Sequence, residues 1–147
     1  MLYTLLYLSK ANKAFDQQEL SKLLEQSRNW NEAHSLTGFL AYITGTVANA
    51  TTSQFIQVLE GEQSDVINVF ASILNDDRHT EIKVIKQGPI SKRKFGLWKM
   101  GFQGFDIHES VELQQFFSMD ATILAEDGDP DNNMLMSFMK SFYETGD

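Results

Sequence analysis

The segment from Leu2 to Leu8 constrains this chain most. Leu2, Leu6 and Leu8 fall on one parity, and Tyr3, Leu5 and Tyr7 on the other. Side chains alternate along a strand, so apolar residues on both parities call for a strand covered on both faces. That strand belongs inside a sheet, with structure packed on each side of it.

The remaining elements follow in order. Asp16 opens a helix, with Glu19 three residues on completing a capping box. Leu20, Leu23, Leu24 and Ser27 share one face at helical spacing, and the helix is expected to end near residues 29–31. Leu36 to Thr44 reads as a strand through Phe39, Leu40, Tyr42 and Ile43, and Phe55 to Leu59 as the next. The small, polar stretch between them, residues 44–53, is expected to be a long hairpin loop. Val66, Val69, Phe70 and Ile73 recur at i, i+3, i+4, i+7 and mark a second amphipathic helix. Ile82 to Ile85 makes a fourth strand, Gly88-Pro89 punctuates the chain, and Leu97 to Phe102 makes a fifth. The order β-α-β-β-α-β-β fits an α+β, ferredoxin-like sheet with two helices on one face. Two C-terminal helices are expected beyond it. One is Val111 to Phe117; the other begins at Asp129-Pro130, with Asp as N-cap and Pro as first helical residue, after the acidic loop of residues 126–129.

Composition narrows the function classes. A length of 147 residues suits one domain that buries a core without staples. The absence of cysteine excludes disulfides, thiolate metal sites, thiol nucleophiles and cysteinyl bonds to a cofactor. A net charge of −8 opposes non-specific binding to nucleic acid or an anionic membrane, and Lys92-Arg93-Lys94 is the only basic run. No apolar run is long enough to span a bilayer and no signal segment stands at the N-terminus, so a cytoplasmic location is expected. His34, His79 and His108 have no metal-ligand spacing, and no phosphate-binding or nucleophile motif is present. No metal site is expected.

Three strands carry polar or oxidisable groups on faces that should be buried. Gln57 shares a face with Phe55 and Leu59, and burying an unpartnered amide costs about 1–3 kcal/mol. Tyr7 shares a face with Tyr3 and Leu5, so its hydroxyl needs a partner. Trp98, Met100 and Phe102 share a face of the fifth strand. Ordinary core packing accounts for each of these taken singly.

Together they are more specific. Leu5-Leu6-Tyr7, Asn31 before Leu36-Thr37-Gly38, Phe55-Ile56-Gln57-Val58-Leu59-Glu60-Gly61, Asp76-Asp77-Arg78-His79, and Pro89-Ile90 leading to Arg93 and Trp98-Lys99-Met100 occur in that order. Over about residues 2–103 this resembles the BLUF family of flavin-holding blue-light sensors. The resemblance implies a sensor domain over 1–103 and a helical extension over 104–147 packed on it. Tyr7 matches the residue that gives an electron and proton to the photoexcited flavin. Gln57 matches the glutamine between that tyrosine and the flavin, and Asn31 the asparagine at the carbonyl edge of the ring. Trp98 and Met100 match the pair that responds to the glutamine. Asp76, Arg78 and His79 match the end of the second helix near the pyrimidine edge and side chain of the flavin. Leu23, Ser27 and Ile73 fall where the helices would sandwich the ring. Trp30 stands at a position often polar in this family, and Tyr42 and Gln57 are 15 apart, several residues more than the family leads one to expect.

The implied function is a photoreceptor and not an enzyme. It would bind FAD, with FMN or riboflavin also admissible, and signal to another protein, with a homo-oligomer expected. A flavin-dependent oxidoreductase, or a flavin-free interaction module on the same fold, are the alternatives; the first lacks a motif for a nicotinamide or substrate pocket.

Overall fold

The first apolar run forms strand β1 (Leu2–Ala11) of a computed structural model that describes residues 1–47, 50–96, 99–106 and 108. Helix α1 (Gln17–Ala33) follows, then β2 (Thr37–Val47), β3 (Ala50–Glu62), α2 (Gln63–Leu74), β4 (His79–Pro89) and β5 (Gly101–Asp106). The strand order is β4-β1-β3-β2-β5. All neighbours are antiparallel except β2 and β5, which run parallel. This is the expected ferredoxin-like arrangement, with β5 added beside β2.

Both faces of β1 are covered: Thr4, Leu5, Leu6 and Tyr7 are all buried. Leu5, Tyr7, Leu40, Phe55 and Leu59 share one core with Leu24 of α1 and Val66 and Val69 of α2, so both helices lie on that face. On the reverse face Leu6, Phe39, Ile43, Ile56 and Val58 are buried, and the ring of Phe95 packs 5.8 Å from that of Phe39.

Helix α1 starts as its capping box dictates. Asp16 Oδ1 accepts from the Glu19 N–H at 2.8 Å, and the Asp16 N–H donates to Glu19 Oε1 at 3.2 Å. The helix runs past residues 29–31 to Ala33, which carries the buried face one turn beyond Ser27 to Asn31. Gly38 lies where β2 passes close to β3: a Cβ there would collide with the Val58 carbonyl and stand 3.4 Å from the Met100 methyl.

Three expectations need correction. Residues 44–53 are not a long loop, because β2 and β3 stay paired out to Val47 opposite Ala50. Ladder bonds join backbones, and threonine is a good strand residue, so polarity was no sign of a loop here. The fourth strand spans His79–Pro89, well beyond Ile82 to Ile85. Gly88-Pro89 closes it without interrupting it, since an edge strand tolerates proline. The fifth strand is Gly101–Asp106, so Met100 precedes it and does not alternate with Phe102 along it. Both side chains nevertheless join the helix-side core. Trp98 and the C-terminal helices expected at 111–117 and from 129 lie outside the described residues. Among those residues, no helix is long and apolar enough to cross a membrane.

Candidate functional site

Two helices laid side by side on a sheet leave a slot between them, and the polar residues of this chain converge on it. The slot is a cleft of about 180 Å³. Its floor is Tyr7 of β1, Leu40 of β2, and Phe55, Gln57 and Leu59 of β3. Leu23, Ser27 and Asn31 stand on the α1 side, and Val69, Ser72 and Ile73 on the α2 side. Asp76, Arg78 and His79, just past the end of α2, and Gln26 and Trp30 of α1 complete the lining.

The floor carries a relay. Tyr7 and Gln57 are directly paired across β1 and β3. Both are buried, and the Tyr7 hydroxyl donates to Gln57 Oε1. Gln57 Nε2 donates in turn to the Met100 sulfur at 3.6 Å. Burial holds the phenol well above its ordinary pKa, and the Asp76 carboxylate adds to this against the opposing charge of Arg78. Tyr7 is therefore protonated, and a donor, at any physiological pH. The amide has a strong partner on its oxygen and a weak one on its nitrogen, because a thioether is a poor acceptor. Its second N–H is unused among the described residues.

Asn31 is 1% exposed, yet it lines the cleft. Its Nδ2 donates to the Lys99 carbonyl at 2.5 Å, and no described residue takes its Oδ1. His79 donates or accepts at both ring nitrogens, with Ser9 Oγ on Nδ1 at 2.7 Å and the Ile73 carbonyl on Nε2 at 2.8 Å. A carbonyl only accepts, so Nε2 carries the proton. The imidazole lies edge-on to Tyr7, with ring centroids 6.1 Å apart.

Arg78 holds both carboxylate oxygens of Asp76, with Nε at 2.9 Å from each, and its Nη1 donates to Gln26 Oε1 at 3.1 Å. This bond ties the segment after α2 back to α1. The guanidinium keeps the Asp76 carboxyl below the usual carboxylate range. Trp30, 42% exposed, lines the cleft and stacks on His34 at a centroid distance of 4.3 Å.

On the reverse face, Glu60 is buried three residues beyond Gln57. Its carboxylate accepts from the backbone N–H of Lys94 at 2.7 Å and of Phe95 at 2.9 Å, and from the Thr37 hydroxyl at 3.1 Å. Arg93 donates to the Thr37 hydroxyl at 2.9 Å and to the Ser35 carbonyl at 2.8 Å. Burial raises the Glu60 carboxyl, although these donors and the Arg93 charge pull it back.

The structure thus brings Tyr7, Leu23, Ser27, Asn31, Gln57, Ile73, Asp76, Arg78 and His79 to one cleft, with Met100 behind Gln57. The sequence reading missed Gln26, although it follows Leu23 at i+3 on the same helix face. It also missed Arg28, whose Nε donates to the Met100 carbonyl at 3.0 Å. A backbone acceptor 72 positions away leaves no trace in sequence. Apolar side chains on both helices, amides from the floor and α1, and a guanidinium at one end make a donor set that fits a flat heteroaromatic ring bearing carbonyl oxygens and an anionic tail.

Comparison with known proteins points the same way. The family described as BLUF, sensors of blue-light using FAD, matches residues 2–101. Photoactivated adenylate cyclase subunit beta of Euglena longa is 31% identical over 94 residues, which is 64% of this chain and 10% of that protein. The chain spans about a tenth of the length of the first curated relatives it matches. The ground-state structure of BlsA is 31% identical with a TM-score of 0.63, over 80% of this chain and 72% of that one. The dark-state structure of BlrB, a BLUF protein, shares the fold with a TM-score of 0.73 at 24% identity, over 96% of each chain.

Proposed function

Because the chain belongs to the BLUF family of flavin-binding blue-light sensors, we propose that Gln57 is its switch, Tyr7 its electron and proton donor, and Met100 the group that reads the switch. The observation that supports this is the series from the Tyr7 hydroxyl through Gln57 Oε1 and Nε2 to the Met100 sulfur.

When bound, the flavin supplies the absorption of blue light and an electron-accepting excited state. Leu23 and Ile73 would pack on the ring. Ser27, Asn31 and the unused N–H of Gln57 would meet its polar edges, and Arg78 the phosphate-bearing side chain of FAD or FMN; FAD is the form the family description names. Tyr7 would give one electron to the excited ring and pass its proton along the existing bond to Gln57 Oε1. Both would return to Tyr7 as the amide turns over, so only hydrogen bonds would differ at the end. Turned, the amide presents Nε2 to the Tyr7 oxygen and Oε1 away from it. The thioether has no proton to offer that oxygen, so the contact with Met100 exists in one orientation and not in the other. A planar group with a donor at one end and an acceptor at the other thereby becomes a two-state signal.

The output is a change in a protein–protein contact, made to a downstream protein or to a second copy of this chain. Residues 1–103 are the sensor and 104–147 the extension that carries the signal. This chain is regulatory in that scheme and performs no reaction of its own.

The test is a visible spectrum of the purified, flavin-loaded protein before and after blue light. A small red shift that reverses in the dark is expected. Full, lasting bleaching would instead indicate a redox enzyme, and a protein that takes up no flavin would end the proposal.

A further inference from the structure

Two amides line the cleft, and both bond to the same dipeptide. Gln57 from β3 reaches the Met100 sulfur, and Asn31 from α1 reaches the Lys99 carbonyl. A third residue holds that dipeptide without lining the cleft. Arg28, less than one turn before Asn31 on α1, donates from Nε to the Met100 carbonyl at 3.0 Å. The Lys99 ammonium also meets Glu32 at 2.8 Å, but both side chains are more than half exposed and such a pair contributes little.

The Met100 side chain has three rotatable bonds, and its contact with Gln57 is long and weak. The core confines this side chain, and fixing its backbone then sets how closely the sulfur approaches Gln57. Arg28 provides that fixing from the helix that also carries Asn31. Resting on the switching role assigned to Gln57 above, we propose that Arg28 is a positioning residue for the switch. By tying the Met100 carbonyl to α1 it keeps the sulfur within reach of Gln57 Nε2, and so favours the dark orientation of the amide. Without it the dark orientation loses part of its advantage over the turned one, and return from the lit state slows. The same tie makes α1 a route by which the orientation of Gln57 leaves the cleft.

The experiment uses the full, flavin-loaded chain. Arg28 is exposed, so Arg28→Ala and the milder Arg28→Lys should both fold. Arg28→Ala is expected to bind flavin with an unchanged dark spectrum and to slow dark recovery by about threefold or more. Arg28→Lys, which keeps a donor but not the planar fork, should fall between it and the parent. Hydrogen exchange in the dark at the backbone amides of residues 99–102 should quicken in Arg28→Ala, a readout independent of photochemistry. Met100→Ala should slow recovery too, and adding Arg28→Ala to it should change little further. Recovery of Arg28→Ala within about 1.5-fold of the parent, or full additivity with Met100→Ala, would overturn the proposal while leaving the assigned switch in place. A parent protein that binds flavin and shows no reversible shift would overturn both.

Discussion

Tyr7 and Gln57 face each other as a register pair across β1 and β3, and the phenol hydroxyl donates to the amide oxygen. The relationship is set by strand pairing before any side chain chooses a rotamer. A slip of one residue would turn one of the pair to the reverse face. The contact between Tyr7 and Gln57 is therefore as well fixed as the sheet itself.

Gln57→Leu should keep the flavin and abolish the reversible red shift, read in a light-minus-dark spectrum. It strands the buried Tyr7 hydroxyl and should lower stability by about 1–3 kcal/mol in urea unfolding. Tyr7→Phe should also abolish the shift and have a similar effect on stability. The double variant should lose less than the sum, because replacing both members of a buried pair leaves nothing unpaired.

Burial raises the Tyr7 phenol far above its ordinary value, with Asp76 adding to it. A group that binds its proton more tightly when folded contributes stability below its unfolded pKa and loses it as pH rises. Alkali should therefore weaken the fold from about pH 10 upward. In a titration of phenolate absorbance, Tyr7 should ionise only as the protein unfolds, and Tyr7→Phe should remove that step.

Arg78 is neutralised by Asp76 in the cleft as it stands. Arg78→Ala should weaken FMN and FAD by about tenfold relative to riboflavin, measured by fluorescence quenching, since only the former carry phosphate. Salt should weaken FMN binding to the parent and have little effect on the variant.

Glu60 holds the Lys94 and Phe95 amides from the reverse face. Its carboxyl is raised by burial, so its contribution is intact below the ordinary carboxylate range and falls as pH rises through the raised value. Asp76 is shifted the other way, so its contribution is present above that range and is lost as pH falls below it. Glu60→Gln should lower stability by about 1–3 kcal/mol below about pH 4, with the gap narrowing as pH rises. Urea midpoints across a pH series measure this.

Gly38→Ala places a methyl against the Val58 carbonyl, beside the Met100 methyl. A loss of about 3 kcal/mol is expected, with the β2–β3 approach forced apart, read as a drop in the thermal midpoint.

Much of this site was legible in the sequence because strand alternation and helical spacing place residues without knowledge of their partners. Gln57 between Phe55 and Leu59 had to lie on a buried face. Tyr7 had to share a face with Leu5. Asn31, Asp76, Arg78 and His79 were marked only by the family resemblance, not by spacing. What escaped depends on backbone partners. Threonines 44, 46, 51 and 52 looked like loop because their ladder bonds involve no side chain. Met100 looked like a strand residue because the start of β5 depends on pairing with Phe39 of β2, which no local pattern announces. Arg28 was passed over because its acceptor is a carbonyl, identical in every residue.

The far end of the β2–β3 hairpin carries a different lesson. Among the described residues, β1 pairs with β3 only up to Gln54, and β5 with β2 only up to Thr44, so residues 45–47 and 50–53 form a two-stranded ribbon beyond those strands. An antiparallel hairpin grows at its tip: residues added there extend the ribbon and leave every existing pair with its old partner. Length in this connection can therefore drift over generations, or be engineered, while Tyr7 still meets Gln57.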